Sequence, residues 1–324
     1  MGKTLIKKIS LVSMAIVMFT LSYLPAVQAS YTENPNGVYY ELSRQVYNVK
    51  GDGSHSSIES ALNSKLGKGK FKVIDTIDVN EQNYHKAGTS SSSGKILPLD
   101  KTGFQAMTVV IEGSKKLYIA FSGSQSFSDY NTAKNIMEDD IPGQLYQAQL
   151  YANYIYKNFP QYQGYKWYFT GHSLGGWLAT KLYLDIRAAN WVIPTTSKYK
   201  YGGPIGKKTI NGVYTFNPLP IRKGQHLPQT QWDANKNGVY NQDIKNLYIE
   251  NEWLNGVYDM HSTEINYFGT KGSINTGIKS YSTLGYKPNS LLFDVGYYYN
   301  WCDRKQQAVV DGHSIYNFTK YVQY

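Results

Sequence analysis

Apolar residues recur at helical spacing over residues 38–47, and a second short helix is predicted over 56–62. The run FKVIDTIDV, residues 71–79, reads as a strand. FQAMTVVIE (104–112) and KLYIAFS (116–122) flank the segment GSKK, so a β-hairpin is predicted there. PGQLYQAQLYANYIYKNF (142–159) sets Leu145, Ala148, Ala152 and Ile155 on one stripe, with Pro142 suited to a first helical turn. A strand, a sharp turn and a helix follow over 166–189, strands recur at 213–216 and 245–249, and the last periodic stretch, 314–322, is simplest as a terminal helix. Strands alternating with helices predict an α/β layer sandwich whose central sheet is mainly parallel.

Two features qualify this pattern. AGTSSSSGK (87–95) is of low complexity and reads as a flexible loop. The tetrapeptide NGVY occurs four times, at Asn36, Asn211, Asn237 and Asn255, with no regular period. It is therefore turn chemistry feeding a strand or helix start and not a structural repeat.

The N-terminus is a separate matter. Lys3, Lys7 and Lys8 precede a mostly apolar stretch, residues 9–24, and VQA at 27–29 offers small residues for a cleavage site. Residues 1–29 read as a secretory signal peptide, since Ser10, Ser13, Thr20, Ser22 and Pro25 interrupt the stretch too often for a membrane anchor. No later stretch is apolar enough to span a bilayer, so the expected product is secreted, with residues 30–324 forming one α/β domain.

The formal net charge is +10, but the lysines are scattered. That reads as solvation, with no stripe suited to nucleic acid. Cys302 is the single cysteine, which rules out an intramolecular disulfide, and its context YNWCDR has no neighbouring histidine to activate it. The 31 tyrosines would suit a surface that stays soluble yet meets something amphipathic.

Chemistry concentrates at KWYFTGHSLGGWLATKLYLDI, residues 166–186. Gly171, Ser173 and Gly175 form G-x-S-x-G between a predicted strand and a predicted helix, the setting in which that motif exposes a nucleophile. Ser173 would stand at the helix start, where the Leu174 amide and the helix dipole favour an oxyanion. Adjacent side chains at such a turn diverge, so His172 should face a neighbouring helix or the sheet as a structural residue.

The base must then come from elsewhere. His55 and His85 precede the serine and violate the order serine, acid, histidine, while His226 sits between Gly224 and Pro228 on a loop. His261 and His313 remain, and His313 is better placed because it follows a predicted strand and a glycine turn. Glu250, Glu252 and Asp259 are candidate acids; Glu252 lies just past a strand end and is preferred, with Asp259 in reserve. AFSGSQS (120–126) closes a strand with a glycine-flanked serine turn, making Ser124 a second oxyanion donor.

These residues resemble the class 3 (fungal-type) lipase family of α/β hydrolases. LYIAFSGSQSFSDYNTAKNI is similar to that family's strand, oxyanion turn and following segment, and YFTGHSLGGWLA to its nucleophile elbow. YTFNPLP, NEWLNGVYDMHSTEINYF and DGHSIYNF resemble the next strand, the acid segment and the catalytic-histidine segment. The resemblance runs from about residue 103 to 324. It implies an α/β-hydrolase fold with Ser173 as nucleophile, His313 as base, Glu252 as acid, Ser124 as oxyanion donor and His261 as a bystander. It also implies a lid over roughly 127–141, where Phe127, Tyr130, Ile136 and Met137 would cover the cleft and open on lipid. Two positions depart from the family: Ser122 stands where it has arginine, and Glu252 where it has aspartate.

The expected function is a lipase-like carboxylic ester hydrolase acting on acylglycerols or related lipid esters, at a lipid-water interface, with no cofactor or metal in the chemistry. An acyltransferase or an esterase for a wall or polysaccharide ester would use the same triad. A non-catalytic surface-binding protein on the same scaffold would need neither Ser173 nor His313. DANKNGVYNQD, residues 233–243, mimics the start of a calcium loop at Asp233, Asn235 and Asn237, but position 12 is Ile244 where a bidentate acid belongs. A solvated turn is the simpler reading.

Overall fold

The computed structural model describes residues 35–50, 55–67, 70–79, 103–124, 143–187, 204–223, 227–250, 252, 265–274, 313–319 and 321. The expected signal peptide (1–29), flexible loop (87–95) and lid (127–141) lie outside them, as do His85, His226, Asp259, His261 and Cys302.

Two helices open the described chain: α1, Pro35–Gln45, and α2, His55–Leu66. A single turn of 3-10 helix, Val46–Asn48, extends α1. Strand β1, Phe71–Asp78, pairs antiparallel with β2, Gln105–Ile111, and β2 pairs antiparallel with β3, Lys116–Phe121. The hairpin predicted for the last two strands is thus present. It closes through Lys115 in the left-handed region at φ 51°.

Beyond the hairpin the strands run parallel. Helix α3, Gly143–Asn158, leads to β4, Lys166–His172, then α4, Leu174–Arg187, and β5, Ile210–Phe216. Helix α5, Gln229–Lys236, precedes β7, Ile244–Ile249, which pairs in parallel with β9, Thr270–Ile274. Among the described residues the main sheet has the order β1-β2-β3-β4-β5-β7-β9, and the short β6, Ile221–Arg222, and β8, Ile265–Asn266, form an antiparallel pair of their own.

Alternation along the strands assigns the two faces. On β2 and β3, Met107, Val109, Tyr118 and Ala120 join a core with Val38, Leu42, Ile58 and Leu62 from α1 and α2. Ala106, Val110, Leu117, Ile119 and Phe121 point the other way, into a core with Leu145, Ala148 and Ala152 of α3 and Leu178 and Leu182 of α4. The result is helix, sheet, helix, and it is an α/β-hydrolase architecture: a mainly parallel sheet with a strand-turn-helix elbow at its centre. Buried polar groups pin neighbouring strands. Asn246 accepts from Thr215 at 2.7 Å and donates to the Phe268 carbonyl at 2.7 Å, which ties β5, β7 and the approach to β9 together.

Register decides where chemistry can occur. Phe121 pairs with Gly171 and His172 with Phe216, so β3, β4 and β5 end level. The turns at 122–124, 173 and 217 therefore share the carboxyl edge of the sheet, where α/β folds place their sites.

Two sequence expectations change, and a third, for NGVY, is met at two of its three described copies. The stretch 314–322 was expected as a helix, but its described part holds only a 3-10 turn, Ile315–Phe318, capped by the Ser314 hydroxyl accepting from the Tyr316 amide at 3.3 Å. Ile315 and Phe318 are buried three residues apart, a spacing that one short turn already satisfies. Residues 233–236 belong to α5 and not to a loop. There Asp233 accepts from Gln229 at 2.8 Å, and Asn235 bridges the Tyr267 carbonyl and the Gly269 amide, so two of the supposed calcium ligands serve the fold. Of the NGVY copies, the one at Asn36 lies in the first turn of α1, the one at Asn211 inside β5 and the one at Asn237 in a turn after α5; the fourth lies outside the described residues. No helix among the described residues is long and apolar enough to cross a membrane.

Candidate active site

Ser173 is the single residue between β4 and α4, and its φ of 57° lies in the left-handed region. A non-glycine residue held there stores about 1–3 kcal/mol of strain, which its surroundings must over-determine. They do so by hydrogen bonds on both sides. The Ser173 amide donates to the Phe216 carbonyl at 3.0 Å, and the Ser173 carbonyl accepts from Gly176, Trp177 and Leu219 at 3.0–3.2 Å.

The flanking glycines are needed for close approach. A Cβ at Gly171 would lie 2.3 Å from the carbonyl carbon of Gly175, and one at Gly175 would lie 2.1 Å from the Phe121 carbonyl oxygen. Any larger residue would push α4 away from the sheet and tilt the serine. Leu174 opens α4, so its amide has no carbonyl within the helix to bond and points toward the edge where Ser173 stands.

The structure brings the three predicted side chains together. Ser173 Oγ lies 2.7 Å from His313 Nε2, and His313 Nδ1 lies 2.8 Å from Glu252 Oε1. Glu252 follows the end of β7, with its amide donating to the Ile249 carbonyl at 3.3 Å, and its side chain is buried. Asp259 lies outside the described residues, so its distance from the imidazole is not part of this geometry.

His313 is positioned by the turn that follows it. Phe318 packs edge-on against Phe216 with ring centres 5.2 Å apart, and Tyr40 of α1 hydrogen bonds Thr319 at 2.6 Å. These contacts clamp Ile315–Phe318 between α1 and the end of β5, and so hold His313 over the elbow.

The turn after β3 abuts Ser173. A Cβ on Gly123 would lie 3.0 Å from the Ser173 Cβ, so the turn meets the serine at Gly123. Ser122 is buried, and its hydroxyl has no hydrogen-bond partner among the described residues.

His172 is turned to neighbouring segments, as expected of a structural residue. It is only 5% exposed; its Nδ1 lies 2.8 Å from the Tyr47 hydroxyl and its Nε2 2.8 Å from the His313 carbonyl oxygen. Burial, then the nearby charge of His313, lowers its pKa well below the ordinary 6.5. Tyr47 was missed in the sequence, where 125 residues separate it from His172 and no motif marks it.

No family model matches the chain and no curated protein does. Among solved structures it is similar to the Rhizomucor miehei lipase propeptide complex, at 17% identity and TM-score 0.44, covering 74% of this chain and 68% of that one. It is also similar to the Lip2 lipase of Yarrowia lipolytica, at 14% identity and TM-score 0.46, covering 76% and 80%. A third is a triacylglycerol lipase described as having a serine protease triad at its catalytic centre, at 18% identity and TM-score 0.46, covering 77% and 81%. All three likenesses are distant, which leaves the chemistry to be read from this chain's own residues.

Proposed function

We propose that this protein is a secreted serine-dependent carboxylic ester hydrolase, lipase-like in the esters it cleaves, with Ser173, His313 and Glu252 as its catalytic triad. The observation that carries the reading is the continuous hydrogen-bonded line from Ser173 Oγ through both nitrogens of His313 to Glu252. A serine and histidine in that relation have a defined use: the imidazole takes the hydroxyl proton as the oxygen attacks a carbonyl.

The steps follow from the geometry. Ser173 Oγ bonds to the ester carbon while its proton passes to His313 Nε2, and Glu252 stabilises the imidazolium through Nδ1. The Leu174 amide and the backbone or hydroxyl of Ser124 donate to the oxyanion. His313 returns the proton to the departing alcohol, leaving Ser173 acylated. A water then gives its proton to His313 as it attacks the acyl carbon, and collapse releases the acid and restores the serine. Lipid esters are the substrate class favoured by the elbow and oxyanion sequences, and the N-terminal 29 residues favour export.

A fluorophosphonate probe tests the reading. Wild type should be labelled, Ser173→Ala should not, and a folded wild type that resists labelling would overturn it. Hydrolysis of p-nitrophenyl esters of increasing chain length, with and without an emulsified interface, then separates a lipase from an esterase for short or polymer-bound acyl groups. Product analysis with added alcohol detects acyl transfer.

A further inference from the structure

We propose that His172 is a positioning residue that ties the turn beside the nucleophile to the backbone of the base, with Tyr47 as its bridge. The inference rests on the triad reading above and adds to it a second, inner line of hydrogen bonds that holds two of its parts in place.

The line runs from Gly123 to His313. The Gly123 amide donates to the Tyr47 hydroxyl oxygen at 3.0 Å, Tyr47 lies 2.8 Å from His172 Nδ1, and His172 Nε2 lies 2.8 Å from the His313 carbonyl oxygen. Its polarity is forced from both ends. A backbone amide can only donate and a backbone carbonyl can only accept. Tyr47 must therefore accept from Gly123 and give its own proton to Nδ1, which must be bare. The ring proton then sits on Nε2 and points at the His313 carbonyl. One tautomer of a neutral imidazole satisfies every member.

Space at the site agrees with this assignment. A Cβ on Gly123 would lie 2.3 Å from the Tyr47 oxygen and 2.6 Å from the His172 carbonyl oxygen, so the tyrosine can reach the turn only because a glycine is there. The His172 and His313 rings approach to 4.9 Å between centres, and burial favours the neutral form of His172.

The line joins parts that lie far apart in the sequence. Gly123 follows β3, Tyr47 lies in the turn after α1, and His313 stands near the C-terminus. The turn at 122–124 must be aligned with the ester carbonyl, and His313 with the serine hydroxyl, to within a fraction of an ångström for efficient chemistry. A neutral imidazole bridging the two backbones sets both against the end of β4, the strand that carries Ser173.

Tyr47→Phe removes one oxygen and little else. It leaves the Gly123 amide without its acceptor and His172 Nδ1 without its donor. The expected result is a roughly tenfold to hundredfold fall in kcat on a p-nitrophenyl ester, as for a small misplacement of catalytic groups, at unchanged KM because neither residue meets the ester. His172→Gln keeps a donor where Nε2 stood and should recover part of the activity that His172→Ala loses. A purely structural role would instead lower the thermal midpoint and leave kcat per folded molecule unchanged. With 15N-labelled histidine, wild type should show His172 as the Nε2-H tautomer.

Wild-type kcat in folded Tyr47→Phe would overturn the inference, as would an Nδ1-H tautomer at His172. Should Tyr47→Phe fail to fold, the comparison of His172→Gln with His172→Ala decides, and equal activities there count against it. Failure of the parent reading looks different: wild type itself would resist the fluorophosphonate, and the positioning role would fall with it.

Discussion

Glu252 reaches His313 Nδ1 across 2.8 Å, although 61 residues separate them in the chain. The carboxylate is buried, so it faces the imidazole with little competing water. Glu252→Gln should preserve the packing but present the ring with an amide, lowering kcat by about a thousandfold to ten-thousandfold. Glu252→Asp, one methylene shorter, should lose less than Glu252→Gln, because the charge remains while the contact lengthens. Steady-state rates on a soluble ester check both, and full activity in Glu252→Gln would return the role of acid to Asp259.

Gly175 should tolerate no side chain. Its Cβ would meet the Phe121 carbonyl at 2.1 Å, and that atom is strand backbone that cannot swing aside. Gly175→Ala is expected to cost about 1–3 kcal/mol or more and to lower the melting temperature by several degrees. Gly113→Ala, where nothing lies within 4 Å, is the matched control and should melt close to wild type. Thermal melts of the two variants side by side make the comparison.

Lys181 and Asp185 form a fully buried ion pair on one face of α4, with Gln149 of α3 donating to the same carboxylate at 3.1 Å. Burial pushes the Asp185 carboxyl up to about 6, and Lys181 and then Gln149 hold it from rising further. Lys181→Met should therefore destabilise by about 3–5 kcal/mol, since it strands a buried carboxylate. The double variant Lys181→Met/Asp185→Leu should recover much of that loss. Urea midpoints for the single and double variants measure the difference, and additive losses would show that the pair does not act as a unit.

Acid should act on stability through His172. Its pKa is lowered in the folded state from 6.5, by burial first and by His313 second. A histidine with a depressed folded pKa contributes stability that is present above its unfolded value and is lost as pH falls toward the folded one. Below about pH 6.5 the unfolded chain takes up a proton that the folded ring refuses, at a slope of up to about 1.4 kcal/mol per pH unit. His172→Gln cannot take up that proton, so its stability should fall less steeply than wild type over the same range. Urea titrations at stepped pH give the two slopes, and parallel curves would contradict the expectation.

Much of this protein is written locally. The apolar runs at 104–112 and 116–122 around GSKK are enough for a hairpin, because each strand must bury both faces between helix layers. The motif at 171–175, between alternating and helical patterns, specifies an elbow, because only glycine fits where the Cβ positions would meet backbone. Chain order and strand ends favoured His313 over His261 and Glu252 over Asp259.

Proximity is what the sequence could not contain. Whether Glu252 meets the imidazole depends on how β7 registers against β5 and on how the turn at 315–318 docks on α1, and both are set by packing between distant segments. His172 makes the point most sharply. Its neighbours in the chain say only that it flanks a serine, and the expectation that it would turn away was right about direction and silent about what lay there. The tertiary fold put Tyr47 on one nitrogen and the His313 carbonyl on the other, because a buried imidazole must satisfy both nitrogens and two segments distant in the chain supply one partner each.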